Sequence, residues 1–131
     1  MNTKNPLIMV IEDEVLLLQA ITKKLGFNGI TVIGCISAEQ AFDYLENHPK
    51  LPDAIWLDYY LKDMNGLEFM NKLKEKTKWA QLPVFVVSNS ASQDKVNRML
   101  AIGAKKYLLK AEYRLDDIIK MMKTFIIESK I

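Results

Sequence analysis

Carboxylates, a hydroxyl and one lysine stand at the ends of apolar runs, and that placement is where chemistry is to be sought. Residues 7–11 lead into Glu12, Asp13 and Glu14, and residues 54–57 into Asp58. Residues 107–109 lead into Lys110, and the run that starts at Pro83 ends in Ser88, Asn89 and Ser90. A short apolar run closed by a charge has the pattern of a buried parallel strand whose last residue reaches a solvent-facing rim. If these rims coincide, Glu12, Asp13 and Asp58 crowd together, and mutual repulsion raises the pKa of at least one of them. A divalent cation relieves that repulsion, and carboxylate, carbonyl and water oxygens are what Mg²⁺ prefers. The expected ligands are Asp13 and Asp58 directly, Glu12 directly or through water, and the backbone carbonyl of Tyr60. A carboxylate can also be a nucleophile that forms an acyl phosphate. The transferring group then needs positive charge and donors, which Lys110 and the Ser88 hydroxyl can add.

The rest of the composition is that of an ordinary domain. The chain has 131 residues, half of them hydrophobic and 26% charged, which suits one globular unit over 1–131. A net charge of +2, with lysines spread along the chain, gives no case for direct nucleic-acid binding. No apolar stretch approaches the roughly 18–20 residues of a membrane span. The segment Met1-Asn2-Thr3-Lys4-Asn5-Pro6 precedes an apolar run too short for a signal peptide. Cys35 is the single cysteine, so no internal disulfide forms and a reducing, cytoplasmic setting is expected. A small core residue on a strand is a better reading of Cys35 than a reactive thiol. His48, the lone histidine, reads as a solvated residue near a helix end rather than a ligand.

The elements that must position these residues alternate strand and helix. Strands are expected over 7–11, 30–35, 54–58, 83–88 and 105–109, each short and rich in aliphatic or aromatic residues. A helix over 15–25 carries the stripe Leu17, Leu18, Ile21 and Leu25, with Gly26 as its stop. Another over 113–128 carries Leu115, Ile118, Ile119, Met122, Phe125 and Ile126. Ser37-Ala38-Glu39-Gln40 has the form of a capping box, and Asn65-Gly66-Leu67-Glu68 resembles one. Pro83 is expected at the first residue of its strand, where a missing N–H does least harm. Met70, Met99 and Met122 fall on helix stripes as core filler. Five such units make an α/β fold, an open, doubly wound parallel sheet of five strands and five helices. A closed eight-unit barrel needs roughly 200 residues or more. The common flavodoxin-like order 2-1-3-4-5, assumed here, sets Glu12 and Asp13 beside Asp58 at the topological switch.

Taken together, these motifs resemble the receiver domain of two-component response regulators over essentially the whole chain. The matching elements are Ile11-Glu12-Asp13-Glu14, the segment from Asp58 through Gly66, Pro83-Val84-Phe85-Val86-Val87-Ser88, and Gly103-Ala104-Lys105-Lys106-Tyr107-Leu108-Leu109-Lys110. Single elements are weak signals, but four in order at the family's spacing are strong. The resemblance implies a chemotaxis-type single-domain phosphorelay switch. Asp58 would accept a phosphoryl group from a histidine kinase or a phosphotransfer protein, with Mg²⁺ required. Ser88 would turn toward the phosphate, and Tyr107 would move inward. The surface of helix 4, strand 5 and helix 5 (residues 93–102, 105–109 and 113–123) would change for a downstream protein target. It further raises a homodimer through that surface as a hypothesis. Such a protein catalyses only its own phosphoryl transfer and dephosphorylation and is no enzyme toward other substrates.

Four positions depart from the pattern. Glu12 replaces the commoner aspartate, Lys62 and Ala111 stand where prolines are frequent, and Asn89 where a small residue is usual. The last two bear on rates and switching more than on the acceptor role. The competing reading is a receiver-like docking module independent of phosphorylation, against which stands the intact set Glu12, Asp13, Asp58, Ser88 and Lys110. A phosphatase resembling the haloacid dehalogenases needs a second aspartate two residues after the first, where this chain has Tyr60. A flavin or nucleotide binder needs donors and glycines after the first strand, where this chain has three acids. A stand-alone receiver and a piece of a longer protein both fit, with the tail at Glu128-Ser129-Lys130-Ile131 read as a fraying helix end.

Overall fold

Three runs of five residues have no water-facing position: β1 (Leu7–Ile11), β3 (Ala54–Asp58) and β4 (Val84–Ser88) are buried throughout. Central strands covered by helices on both faces require this. The edge strands β2 (Thr31–Cys35) and β5 (Lys106–Leu109) are only partly buried. All pairs are parallel, in the order β2-β1-β3-β4-β5, as expected. The computed structural model describes residues 5–130; residues 1–4 and 131 lie outside the described residues.

Side-chain alternation along the strands splits the core into two layers. Met9, Ile11 and Leu57 face α2 (Ala38–Asn47), α3 (Gly66–Lys74) and α4 (Gln93–Ala101), packing on Phe42, Phe69 and Met99. Ile8, Val10, Trp56 and Phe85 face α1 (Val15–Phe27) and α5 (Leu115–Ser129), packing on Ile21, Leu25, Ile118 and Met122. Met70, Met99 and Met122 are fully buried filler. Cys35 is buried on β2, and burial pushes its thiol up to about 11, which leaves it unreactive. His48 is exposed and stacks on Tyr44.

Local details depart from expectation in four places. Gly26 does not stop α1, because it sits on the exposed face where a missing side chain costs the helix only about 1 kcal/mol. The stop is three residues later: Gly29 has φ +74°, and the Ile30 N–H returns to the Leu25 carbonyl at 3.1 Å. Ile30, Pro83 and Lys105 flank their strands rather than belong to them, although the Pro83 carbonyl still accepts from Ile55 N–H at 2.8 Å. α5 begins at Leu115 rather than 113, its entry fixed by Arg114 N–H on the Asp117 carboxylate at 3.2 Å. The Ser37 box forms by half: Ser37 Oγ accepts from Gln40 N–H, but the Gln40 side chain accepts from Ile36 N–H. The Asn65–Glu68 box forms in both directions, at 2.9 and 3.1 Å.

Candidate functional site

The register brings the four strand ends to one rim. Ile11 pairs with Leu57, Asp58 with Val87, and Ser88 with Leu109, so Glu12, Asp58, Ser88 and Lys110 leave the sheet side by side. Glu12, Asp13 and Asp58 each offer a carboxylate oxygen, and these atoms lie within 4.8 Å of one another. Glu12 and Asp58 are buried, and Asp13 is partly exposed. Lys110 Nζ donates to Glu12 Oε1 at 3.0 Å and stands 3.7 Å from Asp58 Oδ1. The other Glu12 oxygen accepts from Glu14 N–H at 3.1 Å. Lys110 is itself held by its N–H on the Ser88 carbonyl at 2.8 Å.

Burial pushes the Asp58 carboxyl up to about 7; the Glu12 and Asp13 carboxylates push the same way, and the Lys110 ammonium pulls against them. An acid held above its ordinary range by burial and then by crowded negative charge, with three oxygens converging, is a donor set that a hard divalent cation fits. Ser88 is fully buried, and its hydroxyl oxygen is 3.4 Å from Ser90 N–H. Asn89 is exposed beside it.

Tyr60 is expected to offer its backbone carbonyl and Tyr107 to move inward only on phosphorylation, so neither side chain need lie in the cluster. The Tyr60 side chain is exposed, and its phenol bonds to Lys95 of α4. That contact holds the Tyr60 hydroxyl below its ordinary pKa. Its backbone forms a bridge with Asn65 that closes the loop after Asp58. Tyr107 is half-buried and donates its hydroxyl to the Ser90 carbonyl at 2.9 Å, away from Asp58. The Tyr59 ring is buried against Gly66, where an added Cβ would lie 2.6 Å from Tyr59 Cδ2.

Two residues that shape the site escape the sequence reading. Lys95 lies over the Tyr59 and Tyr60 rings, at 4.8 and 4.3 Å from their centroids, and ties α4 to the acceptor loop. Asp63 accepts from Ala38 and Glu39 N–H, at 3.1 and 2.9 Å, and so fastens that loop to the start of α2. Burial raises the Asp63 pKa, but these N–H groups and those of Asp63 and Met64 outweigh it, and the net shift is downward. With Lys62 in place of a proline, this tie and the Leu61 N–H on the Met64 carbonyl at 3.2 Å hold the loop. The Lys110–Ala111 peptide bond is trans.

Residues 8–123 match the model of the response regulator receiver domain. The chain belongs to that family. Among relatives of this receiver, the two-component response regulator ORR8 of rice (Oryza sativa subsp. indica) is 28% identical over 119 residues, covering 91% of this chain and 97% of its own. The nitrate/nitrite response regulator protein NarL of Escherichia coli K12 is 34% identical over 123 residues, 92% of this chain and 55% of its own. The Francisella response regulator 1452 receiver domain superposes with a TM-score of 0.84 at 22% identity, covering 95% of this chain and 99% of that one. The fold is therefore the flavodoxin-like receiver fold, and among the described residues no helix is long and apolar enough to cross a membrane.

Proposed function

We propose that the receiver, as one domain over 1–131, is a phospho-acceptor switch. The observation that carries this is the buried Asp58 with Lys110 Nζ at 3.7 Å and two further carboxylates within 4.8 Å. An Asp58 oxygen attacks phosphorus, the P–N bond of a phosphohistidine on a histidine kinase or phosphotransfer protein breaks with its electron pair going to that nitrogen, and the imidazole leaves neutral with the proton its other nitrogen already carried. Lys110 faces the charge that develops on the phosphoryl oxygens, and Ser88 offers its hydroxyl from the adjacent strand end. Glu12, Asp13, Asp58 and the Tyr60 carbonyl would hold a Mg²⁺ ion, which would supply charge neutralisation that lysine alone does not. The protein acts on no separate substrate; it catalyses its own phosphoryl uptake and loss.

The switch would be read on α4, β5 and α5. Ser88 turning toward phosphate would withdraw its oxygen from Ser90, whose carbonyl holds the Tyr107 hydroxyl, and Tyr107 would then be free to move inward. This links the acceptor to a surface for a downstream target or a second copy of the chain, in a cytoplasmic setting that suits the lone thiol of Cys35.

The test is intact mass after brief incubation with acetyl phosphate, with and without Mg²⁺, for the natural chain and Asp58→Asn. A Mg²⁺-dependent gain of one phosphoryl group, lost in the variant, is expected. No gain in folded, Mg²⁺-binding protein would overturn the reading in favour of a docking module that has no phosphorylation step.

A further inference from the structure

α4 has the weakest hold on the core of any helix in the fold, for Met99 is its one buried residue. Its Arg98–Asp94 ion pair is exposed on both sides and worth little. An element with so little buried surface belongs to the low end of local stability. Its side toward the acceptor loop is nevertheless fastened at two points. Lys95 sets its ammonium 4.8 and 4.3 Å from the centroids of the Tyr59 and Tyr60 rings and bonds the Tyr60 hydroxyl. Those two rings meet edge to face at 4.8 Å, so the cation holds them as a pair. One helical turn on, Met99 Cε would stand 3.3 Å from a Cβ placed on Gly66. Lys95 and Met99 thus meet the two ends of the segment 59–66. Between those ends the loop has the Tyr60–Asn65 bridge and the Leu61 N–H on the Met64 carbonyl, and Lys62 gives it none of the stiffness of a proline.

We propose that Lys95 is a positioning residue for the acceptor site: through Tyr60 it holds the loop whose carbonyl is the fourth metal ligand, and it carries the filling of that site to α4. The role toward the metal rests on the proposed function; the grip on the loop does not. Tyr60 joins the two ends of this route, since its backbone belongs to the acceptor loop and its phenol to α4. The route is separate from the one through Ser88 and Tyr107, which reaches α4 only by way of the Ser90 carbonyl. A loop fixed before the cation arrives leaves less ordering to be done on binding, and that is how a residue outside the site strengthens it. Charge alone predicts the opposite. A positive side chain near a cation site weakens binding, slightly at about 0.15 M salt, so removing it would tighten the site. The sign of the effect therefore separates positioning from electrostatics.

The experiment compares the ¹⁵N-labelled full chain with Lys95→Met, which keeps a long apolar stem, Lys95→Arg, which keeps charge and donors, and Tyr60→Phe, which loses only the acceptor. Amide exchange in EDTA reads the grip without metal. The Leu61 amide should exchange about tenfold faster in Lys95→Met, the worth of one hydrogen bond with an exposed cation–π contact, and less so in Tyr60→Phe. The Ile55 amide, bonded to the Pro83 carbonyl at 2.8 Å inside the sheet, should be unchanged and so report that the fold is intact. Equal Leu61 exchange in all four proteins overturns the grip. Titration with Mg²⁺, followed by the Asp13 and Asp58 amide signals, should give about threefold to tenfold weaker binding in Lys95→Met and near-natural binding in Lys95→Arg. Unchanged or tighter binding in Lys95→Met overturns the positioning role. At saturating Mg²⁺ the amide signals of residues 93–97 should shift in the natural chain and in Lys95→Arg but stay in place in Lys95→Met. Equal shifts in all of them overturn the route to α4. A natural chain that binds no Mg²⁺ overturns the proposed function and with it the role toward the metal, while Leu61 exchange still decides the grip.

Discussion

Replacing Asp58 by Asn should make the metal-free protein more stable at pH 8, less so at pH 5, and leave it nearly unchanged only below about pH 4. Burial, then Glu12 and Asp13, lift the folded-state value from 3.8 to about 7, against the pull of Lys110. A folded-state value above the unfolded one means that the folded chain binds the extra proton. The resulting stability is full below about pH 4, the unfolded value, and is lost as pH rises through about 7. A rise of about 3 pH units at 1.36 kcal/mol each sets an upper bound of about 4 kcal/mol on the cost of ionised Asp58. Solvent at the rim and the residual desolvation of an amide cut this to about half, ~2 kcal/mol. For a chain of this length ~1 kcal/mol moves the melting temperature by roughly 3–4 °C, so the variant should gain about 7 °C at pH 8. The assay is thermal unfolding in EDTA at pH 5, 6.5 and 8. A variant that melts at or below the natural chain at pH 8, or a difference that does not grow with pH, refutes the account of the carboxylate cluster. Adding Mg²⁺ should raise the natural chain toward the variant at pH 8, because charge neutralisation replaces charge removal.

Three further outcomes follow from contacts around the rim. Lys110→Ala should still take up a phosphoryl group, by intact mass, but lose the phosphorylation-dependent change in the amide signals of α4, β5 and α5. It should also cost roughly 2–3 kcal/mol by urea titration at pH 7, because buried Glu12 loses its 3.0 Å partner. Gly66→Ala should destabilise by about 1–2 kcal/mol in the same titration, since the new Cβ would lie 2.6 Å from Tyr59 Cδ2; neutral or improved stability would mean that the ring yields freely. Asp63→Ala should lose about 1 kcal/mol at pH 7 by removing two hydrogen bonds at the start of α2. The Asp63 pKa is lowered on folding, so its contribution is present above the unfolded value and disappears as pH falls through the folded one, where the two chains should converge.

What the sequence made legible was whatever depends on strand ends. An apolar run closed by Glu12, Asp58, Ser88 or Lys110 identifies both the element and the residue that leaves it, and a parallel sheet then aligns those residues without further information. The assumed strand order is the observed one. What stayed illegible depends on where a loop goes after it leaves the sheet. Asp63 reaches the start of α2 across 24 and 25 residues of sequence, and Lys95 reaches Tyr60 across 35; no local pattern announces either. Gly26 misled for the opposite reason, since a glycine near the end of a stripe is a stop signal only if the backbone there turns left-handed, and Gly29 does so instead. The half-formed box at Ser37 shows the same limit: the residue types were right, but the Gln40 side chain chose the neighbouring N–H of Ile36.

The order of the strands along the chain has a consequence for how the receiver comes into being on a ribosome. β1, β2 and β3 lie within the first 58 residues, with β1 between the other two in the sheet, so they can pair while the remainder is still being made. Pairing them brings Glu12, Asp13 and Asp58 together at a time when Lys110, their only nearby cation among the described residues, has not been synthesised. The half-made sheet thus carries an unbalanced negative rim that opposes its own closure. Arrival of β5, which delivers Lys110, supplies hydrogen bonds to β4 and the missing charge in one step. Completion of the sheet is thereby tied to completion of the site, and a nascent chain stalled before β5 holds its acceptor only loosely.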